Sequence, residues 1–379
     1  RRCIERLRVG GHIEPFPVGE EDLSDQLQIP GRLYGRQAEV ERIIAAYERV
    51  ATGGRELLLV AGAPGVGKSA LVREVQPAVT ARGGLFAQGK FDQYQRGVPF
   101  TALTQAFTSL CRVILGEPEV AFESWRARLQ GALGAIGQVA VDLVPALEKI
   151  VGPQPEVPAL EGHAAENRLR YLLARLVSAM AGPEHPLLLF IDDVQWIDRA
   201  SLGLLEALLL DPELDGLLVV GAYRDSEVDE THIITTAQET LRSQGLEIET
   251  VTLGDLHLPA ITELVLDTVG PGSEELAGVL HGKTAGNPFF AHRLLSRMAD
   301  EGHLRLDTEN RRWRWDLGAI RGLPSSDNVV DLLTLEVSKL PEQTRGLLEL
   351  GSCIGDRFEI DLLTGLHEMS SEDAARALD

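Results

Sequence analysis

Cysteine is almost missing from this 379-residue sequence, which has only Cys3, Cys111 and Cys353. They lie far apart and form no C-x-x-C pair, so neither a disulfide framework nor a zinc site of that type is indicated. Such cysteine usage is typical of a reducing compartment, and we expect a cytoplasmic location. No apolar run approaches the length of a membrane span and no signal peptide is visible, so we expect no membrane association.

Positive charge is also scarce, because 36 Lys and Arg residues face 57 Asp and Glu residues, a formal net charge of −21. This balance disfavours binding to nucleic acid or to an anionic membrane, although a small basic groove stays compatible with it. The histidines form no metal-binding pattern: His367-Glu368 lacks a second histidine four residues on, where Ser371 stands. No Ser-His-Asp arrangement is visible.

The sequence does contain a phosphate-binding motif, GAPGVGKS at residues 62–69, which has the form G-x-x-x-x-G-K-[ST]. It follows a short apolar run and precedes a helical pattern, which is the context that the motif requires. Gly65 and Gly67 let backbone N–H groups curl around a phosphate without a Cβ in the way. Lys68 brings a positive charge to the β- and γ-phosphates, and the Ser69 hydroxyl is a Mg²⁺ ligand. The motif predicts a nucleoside triphosphate site.

Two acids, Asp192 and Asp193, end the unbroken apolar run LLLFI. On their own they are better explained by solvation of a strand end. Together with the phosphate loop they predict a carboxylate in the Mg²⁺ shell at Asp192 and a group that orients or deprotonates the attacking water at Asp193. Arg224, in GAYRD, is a candidate sensor of the γ-phosphate. Its spacing is equally compatible with an exposed arginine paired with Asp225.

Two turns have ambiguous roles. The residues Gly286-Asn287-Pro288-Phe289-Phe290 form a helix start signal with an aromatic pair for the core, which by itself indicates a structural role. The residues Tyr34-Gly35-Arg36 form either a turn before a helix or a wall for a nucleotide base.

Strands and helices alternate up to residue 253, which predicts a parallel α/β sheet. The predicted strands are 57–61, 85–91, 187–193, 217–223 and 247–253. The predicted helices of this part are 39–50, 69–80, 201–210 and 231–243, with several more between 100 and 180. Helices at 259–269, 273–284 and 288–301 follow, then a hairpin of 302–306 and 312–315, and helices at about 328–339 and 341–351.

With these residues in hand, the chain resembles the signal-transduction ATPases with numerous domains, a branch of the AAA-like P-loop ATPases. The resemblance covers about residues 33–379 and depends on five motifs in the right order. They are LYGR at 33–36, GAPGVGKS at 62–69, LLLFIDDVQWID at 187–198, GAYRD at 221–225 and GNPFF at 286–290. The family fold implies strand order 5-1-4-3-2, a helical lid, and a winged-helix-like domain that begins near Asp327.

The same resemblance implies ATP or ADP and Mg²⁺ as cofactors. It implies adenine contacts near Tyr34, Gly35 and Arg36, and a turn at Asn287-Pro288 that closes over the nucleotide. The predicted catalytic residues are Lys68, Asp193 and Arg224, and the predicted metal ligands are Ser69 and Asp192. The complete predicted nucleotide-binding set is Tyr34, Gly35, Arg36, Gly62, Pro64, Gly65, Val66, Gly67, Lys68, Ser69, Ala70, Asn287 and Pro288.

Three further segments, at 91–100, 150–158 and 13–30, look like the central ATPase of large bacterial hybrid signalling proteins. In that family a serine/threonine-kinase-like domain precedes the ATPase, and a GAF domain and a histidine kinase usually follow. The chain begins at Arg1 rather than Met, so we expect it to be a piece of a longer protein with these domains as partners. The expected domains are 1–30 (kinase tail and linker), 31–255 (ATPase core with a helical insertion at about 98–182), 256–325 (helical lid with hairpin) and 326–379 (winged-helix-like or helical arm).

The sequence departs from the family pattern in one respect, since it offers no clear arginine finger or second lid arginine; Arg293 and Arg297 are candidates. We therefore expect slow or partner-dependent hydrolysis, which suits a regulatory switch better than a motor. ATP-dependent self-association fits the same interpretation. Two alternatives stay open: an ATP-dependent transcription regulator that binds DNA, and a scaffold that binds ATP without hydrolysing it.

Overall fold

The computed structural model describes most of the chain. The described residues are 27–93, 99–307, 310, 312–323, 337–338, 340–354, 360–367 and 370–378. The predicted kinase tail and linker lie outside them apart from residues 27–30, and so do residues 324–336, which include the predicted start of the winged-helix-like domain near Asp327.

The chain divides into two compact units. The larger unit includes Leu33–Leu256 and Asn287–Phe289, and the smaller one includes His257–Gly286 and the chain from Phe290 onward to residue 323.

The larger unit is built on a five-stranded sheet. Its strands are β1 Arg55–Gly62, β2 Leu85–Lys90, β3 Leu187–Asp192, β4 Leu217–Tyr223 and β5 Ile248–Leu253. All pairs are parallel, and the order across the sheet is β2-β3-β4-β1-β5. This is the order 5-1-4-3-2 counted from the other edge, so the predicted parallel sheet and its strand order are confirmed.

Helices cover both faces of this sheet. One face carries α1 Gln37–Val50, α2 Lys68–Glu74 and α3 Gln76–Ala81. The other carries α4 Thr101–Leu115, α5 Glu119–Leu133, α6 Gly137–Leu143, α7 Glu148–Val151, α8 His163–Met180, α9 Arg199–Leu210 and α10 Ile233–Ser243. The helices α4 to α8 correspond to the predicted insertion between the second and third strands.

The central strand β3 shows why its sequence is an uninterrupted apolar run. Successive side chains of a strand point to opposite faces, and both faces of this sheet are covered. Leu188 and Phe190 pack into the core beneath α1 and α2. Leu187, Leu189 and Ile191 pack into the core beneath the other helices. Every residue of β3 is therefore buried.

The helix predicted over residues 69–80 is two helices in the structure, because α2 ends at Glu74 and α3 begins at Gln76. Pro77 lies in the first turn of α3. A proline there loses no hydrogen bond, since the first N–H groups of a helix have no intrahelical partner, whereas inside a continuous helix it would remove one. One helix therefore ends before Pro77, and a new helix begins with this proline in its first turn.

The smaller unit contains helices and a hairpin. Its elements are α11 Leu258–Val269, α12 Glu274–Thr284, most of α13 Pro288–Asp300, β6 Leu304–Asp307, β7 Arg312–Trp315 and α14 Leu317–Gly322. The strands β6 and β7 pair antiparallel, with Leu304 opposite Trp315. Three helices and a hairpin thus follow the sheet, as the sequence pattern predicts.

Three more helices lie near the end of the chain, α15 Glu342–Ile354, α16 Ile360–His367 and α17 Ser371–Leu378. Leu347, Leu363 and Ala374 are buried against one another between them. The helix predicted at 328–339 lies outside the described residues except at 337–338. Within the described chain, no helix is both long and apolar enough to cross a membrane.

Candidate nucleotide site

The phosphate loop connects β1 to α2 at the carboxyl end of the sheet. Gly65 and Gly67 have φ values of 79° and 101°, in the left-handed region that favours glycine. The loop closes with a hydrogen bond from the Val66 N–H to the Ala63 carbonyl, 3.4 Å long. Val66 is buried, so its side chain anchors the loop to the core while the glycines leave the outer backbone exposed.

Lys68 is the first residue of α2 and is buried. Its Nζ donates to the carbonyl oxygens of Gly62, at 2.7 Å, and Ala63, at 3.0 Å. Burial lowers the pKa of Lys68, and the charges of Asp193 and Asp192 oppose this effect. The ammonium group is held inside the loop, at the position where the motif predicts contact with phosphate oxygens.

Ser69 and Asp192 meet directly. The Ser69 Oγ donates to Asp192 Oδ2 at 2.6 Å, although the two residues are 123 positions apart. Asp192 is the last residue of β3, and β3 lies two strands from β1 in the same parallel sheet. The carboxyl ends of parallel strands meet at one edge, which brings this acid to the phosphate loop.

Asp193 has a different environment from its neighbour. Its φ is 52°, so the backbone turns there and its N–H donates to Asp192 Oδ1 at 3.0 Å. Asp193 Oδ1 accepts from Gln195 Nε2 at 3.0 Å, and Asp193 Oδ2 lies 2.9 Å from Lys90 Nζ. Asp193 is buried, whereas Lys90 is half exposed. Both carboxylate oxygens are therefore engaged.

Lys90 and Gln195 are functional candidates that the sequence does not predict. Burial would lower the pKa of Lys90, but the hydrogen bond and charge of Asp193 outweigh it, so the pKa lies above its ordinary value. Lys90 is the last residue of β2 and lies opposite Asp192 in the β2–β3 register. In the sequence, the only indication of a functional role for Lys90 is its position at a strand end. That position points to this site only once the order of the strands in the sheet is known.

Arg224 follows β4 and approaches Asp193, with its Nε 3.8 Å from Asp193 Oδ1. Its Nη1 lies 2.8 Å from Glu227 Oε1, and the guanidinium carbon lies 4.9 Å from the centroid of the Trp196 ring. Trp196 Nε1 in turn donates to Glu227 Oε2 at 3.0 Å. In the described structure the ion-pair partners of Arg224 are thus Asp193 and Glu227 rather than the adjacent Asp225.

These residues surround one concave cavity of about 250 Å³. Its lining is polar where the loop, the acids and the two cations converge. The lining residues are Pro64, Gly65, Gly67, Lys68, Ser69, Ala70, Lys90, Asp192, Asp193, Arg224 and Phe289. Nine of the predicted site residues therefore lie together, and the remaining seven, Tyr34, Gly35, Arg36, Gly62, Val66, Asn287 and Pro288, do not line this cavity.

The turn before α13 is hydrogen-bonded to the phosphate loop. The Asn287 Nδ2 donates to the Pro64 carbonyl at 3.1 Å, and the Phe289 N–H to the Gly65 carbonyl at 3.3 Å. A Cβ on Gly65 would lie 2.9 Å from Phe289 Cβ and 3.0 Å from Asn287 Oδ1, so only glycine fits. Pro288 begins α13 between these two contacts.

The turn before α1 is built from buried residues. Tyr34 and Arg36 are both buried, and Gly35 has a φ of 62°. Arg36 donates to the Gly254 carbonyl and lies 3.3 Å from Glu39 Oε1. The predicted adenine contacts of this turn stay a prediction. Of the two candidate lid arginines, Arg297 is on α13 and lies 2.8 Å from Oε1 of Glu301, which follows that helix.

The placement of the phosphate loop is decisive for the fold. It lies between β1, a strand inside the parallel sheet, and α2, and its serine meets the acid that ends β3. The chain has the P-loop NTPase fold. Residues 32–220 match the family model described as an AAA ATPase domain. That match includes the loop and both acids of this chain and supports the AAA-like part of the predicted resemblance; Arg224 and the turn at Asn287 lie beyond it.

One curated relative is named Hybrid signal transduction histidine kinase G and comes from Dictyostelium discoideum. It is 25% identical over 439 residues, which cover 97% of this chain and 12% of the relative. The chain therefore spans only a small part of that relative's length.

Two solved structures are similar at low identity. One is a Signal Transduction ATPase with Numerous Domains from Pyrococcus horikoshii that has a tetratricopeptide repeat sensor; it is 13% identical with a TM-score of 0.45, over 94% of this chain and 40% of that one. The other is the Aeropyrum pernix Orc1 protein in complex with DNA, 14% identical with a TM-score of 0.44, over 92% of this chain and 83% of that one.

Proposed function

We propose that this P-loop NTPase binds ATP with Mg²⁺, hydrolyses it slowly, and acts as a regulatory switch inside a multidomain signal-transduction kinase. The match to an AAA ATPase domain supports the ATPase, and the name of the curated relative supports the signalling context. Kinase activity itself belongs to domains outside these residues in the proposal.

The observation that carries the proposal is the state of Asp193. A general base must be free to accept a proton from the attacking water. Here Asp193 Oδ2 is paired with Lys90 at 2.9 Å and Oδ1 accepts from Gln195 at 3.0 Å. Proton transfer therefore requires at least one of these contacts to open first, which slows hydrolysis and makes its rate sensitive to a partner.

The residues fit a nucleotide with Mg²⁺. Magnesium takes oxygen ligands and commonly uses one or two protein groups together with phosphates and water. Ser69 and Asp192 present such oxygens 2.6 Å apart, beside the ammonium of Lys68. A bound Mg²⁺ would neutralise phosphate charge. Lys68 would exchange its contacts with the Gly62 and Ala63 carbonyls for contacts with phosphate oxygens.

Two contacts give the switch a physical basis. Arg224 is held over Trp196 and against Glu227, and a γ-phosphate would compete for its guanidinium charge. The hydrogen bond from Asn287 to Pro64 links the start of α13 to the loop, so a change in loop shape alters the start of that helix. These contacts would have one arrangement with a γ-phosphate bound and another without it. Such a pair of arrangements is the two-state element that a switch needs.

The test is ATP affinity of the Lys68→Ala variant, measured by calorimetry with Mg²⁺. We expect a loss of about 3 kcal/mol, which is about a hundredfold in Kd, because a buried charged hydrogen-bond donor to phosphate is removed. Lys149→Ala is the matched control, since it removes the same charge from an exposed position on α7. Undiminished ATP affinity of Lys68→Ala would overturn the proposed site.

Hydrolysis needs its own measurement. We expect a slow turnover of ATP by the wild-type chain, and a further fall in Asp193→Asn without loss of ATP binding, because the amide cannot accept the proton. ATP binding with no turnover in the wild-type chain would instead favour the scaffold alternative.

A further inference from the structure

A second polar cavity, of about 300 Å³, lies next to the nucleotide site between α2 and α4. Its floor is formed by the ends of β2 and β3, and Lys90 and Asp192 line both cavities. Ligand sites commonly begin at about this volume. None of the predicted nucleotide-binding residues lines it, and Asp192, a predicted metal ligand, is the one predicted site residue that does, so the cavity is separate from the phosphate loop.

The wall formed by α4 has a regular polar stripe. Thr104, Thr108 and Arg112 are spaced four residues apart, so they lie on one face of the helix, and all three line the cavity. The opposite face of α4 is apolar and buried in the core. The stripe is therefore fixed in direction by the packing of the other face.

The position of α4 against β2 is also fixed. A Cβ on Gly89 would lie 1.8 Å from the Ala102 carbonyl oxygen, so the helix backbone rests directly on the strand. The Lys90 N–H donates to Gln105 Oε1 at 3.0 Å, which ties the same two elements together. The polar stripe is thus held at a set distance from the end of β2.

Two arginines on this cavity stand out in a chain of net charge −21. Arg73, on α2, and Arg112, on α4, both line it. Across the described residues, neither guanidinium has an ion pair, a hydrogen bond or an aromatic partner, and the hydroxyls of Thr104 and Thr108 have no hydrogen bond. Guanidinium groups and hydroxyls together are donors suited to phosphate and carboxylate oxygens.

We propose that this cavity is an effector site for a small multiply charged anion that carries phosphate or carboxylate groups. The anion is held by Arg73 and Arg112 and by the hydroxyls of the α4 stripe. It also attracts the Lys90 ammonium, which is half exposed and borders both cavities. Binding of the anion therefore loosens the Lys90–Asp193 ion pair and accelerates ATP hydrolysis. This effect on hydrolysis rests on the function proposed above, whereas the binding of the anion does not.

Binding is tested in the Lys68→Ala background, where the phosphate loop no longer competes for anions. The probes are inorganic phosphate and tricarballylate, titrated separately by calorimetry at low ionic strength. We expect at least one of them to bind, and the Arg73→Gln/Arg112→Gln double substitution to weaken that binding by about tenfold or more, or about 1.4 kcal/mol. Arg128→Gln/Arg199→Gln removes two positive charges outside the cavity and is the matched control.

The pattern of binding identifies the ligand class: phosphate alone indicates a phosphate-bearing effector, and tricarballylate alone a carboxylate-bearing one. Binding of neither probe, or equal loss in the control double variant, overturns the site. Coupling is tested in the otherwise wild-type chain with saturating Mg²⁺ and ATP, where the bound probe should raise turnover about threefold to fivefold, as loss of a partly exposed ion pair allows. If an anion binds without changing turnover, the proposed coupling is wrong. If the chain shows no turnover at all, the proposed ATPase activity is wrong, and the binding experiment still decides whether the anion site exists.

Discussion

Asp192 and Asp193 are adjacent in sequence but make contacts of different kinds. Asp192 accepts from the Ser69 hydroxyl, whereas Asp193 is paired with Lys90. The cause is the backbone at Asp193, whose φ of 52° turns its side chain away from that of Asp192. A positive φ costs about 1 kcal/mol or more for a residue other than glycine, although Asp and Asn tolerate it best. One strained residue thus separates the proposed metal carboxylate from the proposed base.

At the residue scale, the first prediction concerns Lys90→Met. We expect turnover of ATP to rise by up to about fivefold with little change in KM, because Asp193 loses one of its partners and a half-exposed ion pair is worth about 1 kcal/mol or less. The measurement is steady-state hydrolysis, with Lys149→Met as the control. A fall in turnover would contradict this and assign Lys90 to stabilisation of phosphate charge instead.

A second prediction at this scale concerns Tyr47. Burial raises its pKa to about 12, the charge of Arg82 opposing, and its hydroxyl donates to the Pro186 carbonyl at 3.2 Å. Between pH 10 and 12 the unfolded chain loses this proton while the folded chain keeps it, so the free energy of unfolding falls as pH rises. The expected loss is up to about 1.4 kcal/mol per pH unit above pH 10.

The measurement is denaturant unfolding at pH 9, 10 and 11. Tyr47→Phe should unfold with a shallower pH dependence than the wild-type chain, and Tyr171→Phe, at an exposed tyrosine, should keep the wild-type slope. Identical slopes in all three proteins would show that Tyr47 does not titrate in this way.

At the scale of elements, the site depends on strand ends that meet at one edge. Asp192 ends β3, Lys90 ends β2 and Arg224 follows β4, three neighbouring strands. The β2–β3 register puts Lys90 opposite Asp192. The carboxyl ends of parallel strands lie at the same edge of the sheet. A residue at the end of one strand is therefore a candidate for a site that the neighbouring strand also contributes to.

The packing of α1 against the start of β2 leads to a third prediction. Gly84 precedes β2, and a Cβ on it would lie 1.7 Å from Tyr47 Oη and 2.7 Å from the Pro186 carbonyl oxygen. We expect Gly84→Ala to lower the free energy of unfolding by about 1–3 kcal/mol, because the backbone oxygen cannot move away easily. Gly131→Ala is the control: it lies in α5 with open space at its Cβ position, and should stabilise by about 0.5–1 kcal/mol. Equal effects of the two substitutions would contradict the packing argument.

At the scale of the whole molecule, the acidic charge bears on the alternative of a DNA-binding regulator. With a net charge of −21, we expect no band shift of duplex DNA by this chain at physiological salt, with or without ATP. The measurement is an electrophoretic mobility assay over a series of salt concentrations. A shift that fades steeply as salt rises would revive the DNA-binding alternative.

The sequence predicted much of the molecule because the strongest patterns are local. Five apolar runs gave the strands, and the spacing of glycines, lysine and serine gave the loop. The acids after β3 were visible because a carboxylate at the end of a buried strand is unusual. Gln195 and Phe289 were not identified, since a glutamine after a strand and a phenylalanine at a helix start have many other uses.

What the sequence determined by itself is the phosphate loop, the individual strands and the pair of acids, because each depends on residues within a few positions of one another. Only the tertiary structure decides which other residues these side chains contact. Lys90 reaches Asp193 because β2 and β3 are neighbours, although the 96 residues between those two strands hold the helices α4 to α8. The two arginines come together on one cavity because residues of α2 and α4 line it together with the ends of β2 and β3. Contacts between distant segments follow from strand order and helix packing, and no local pattern encodes them.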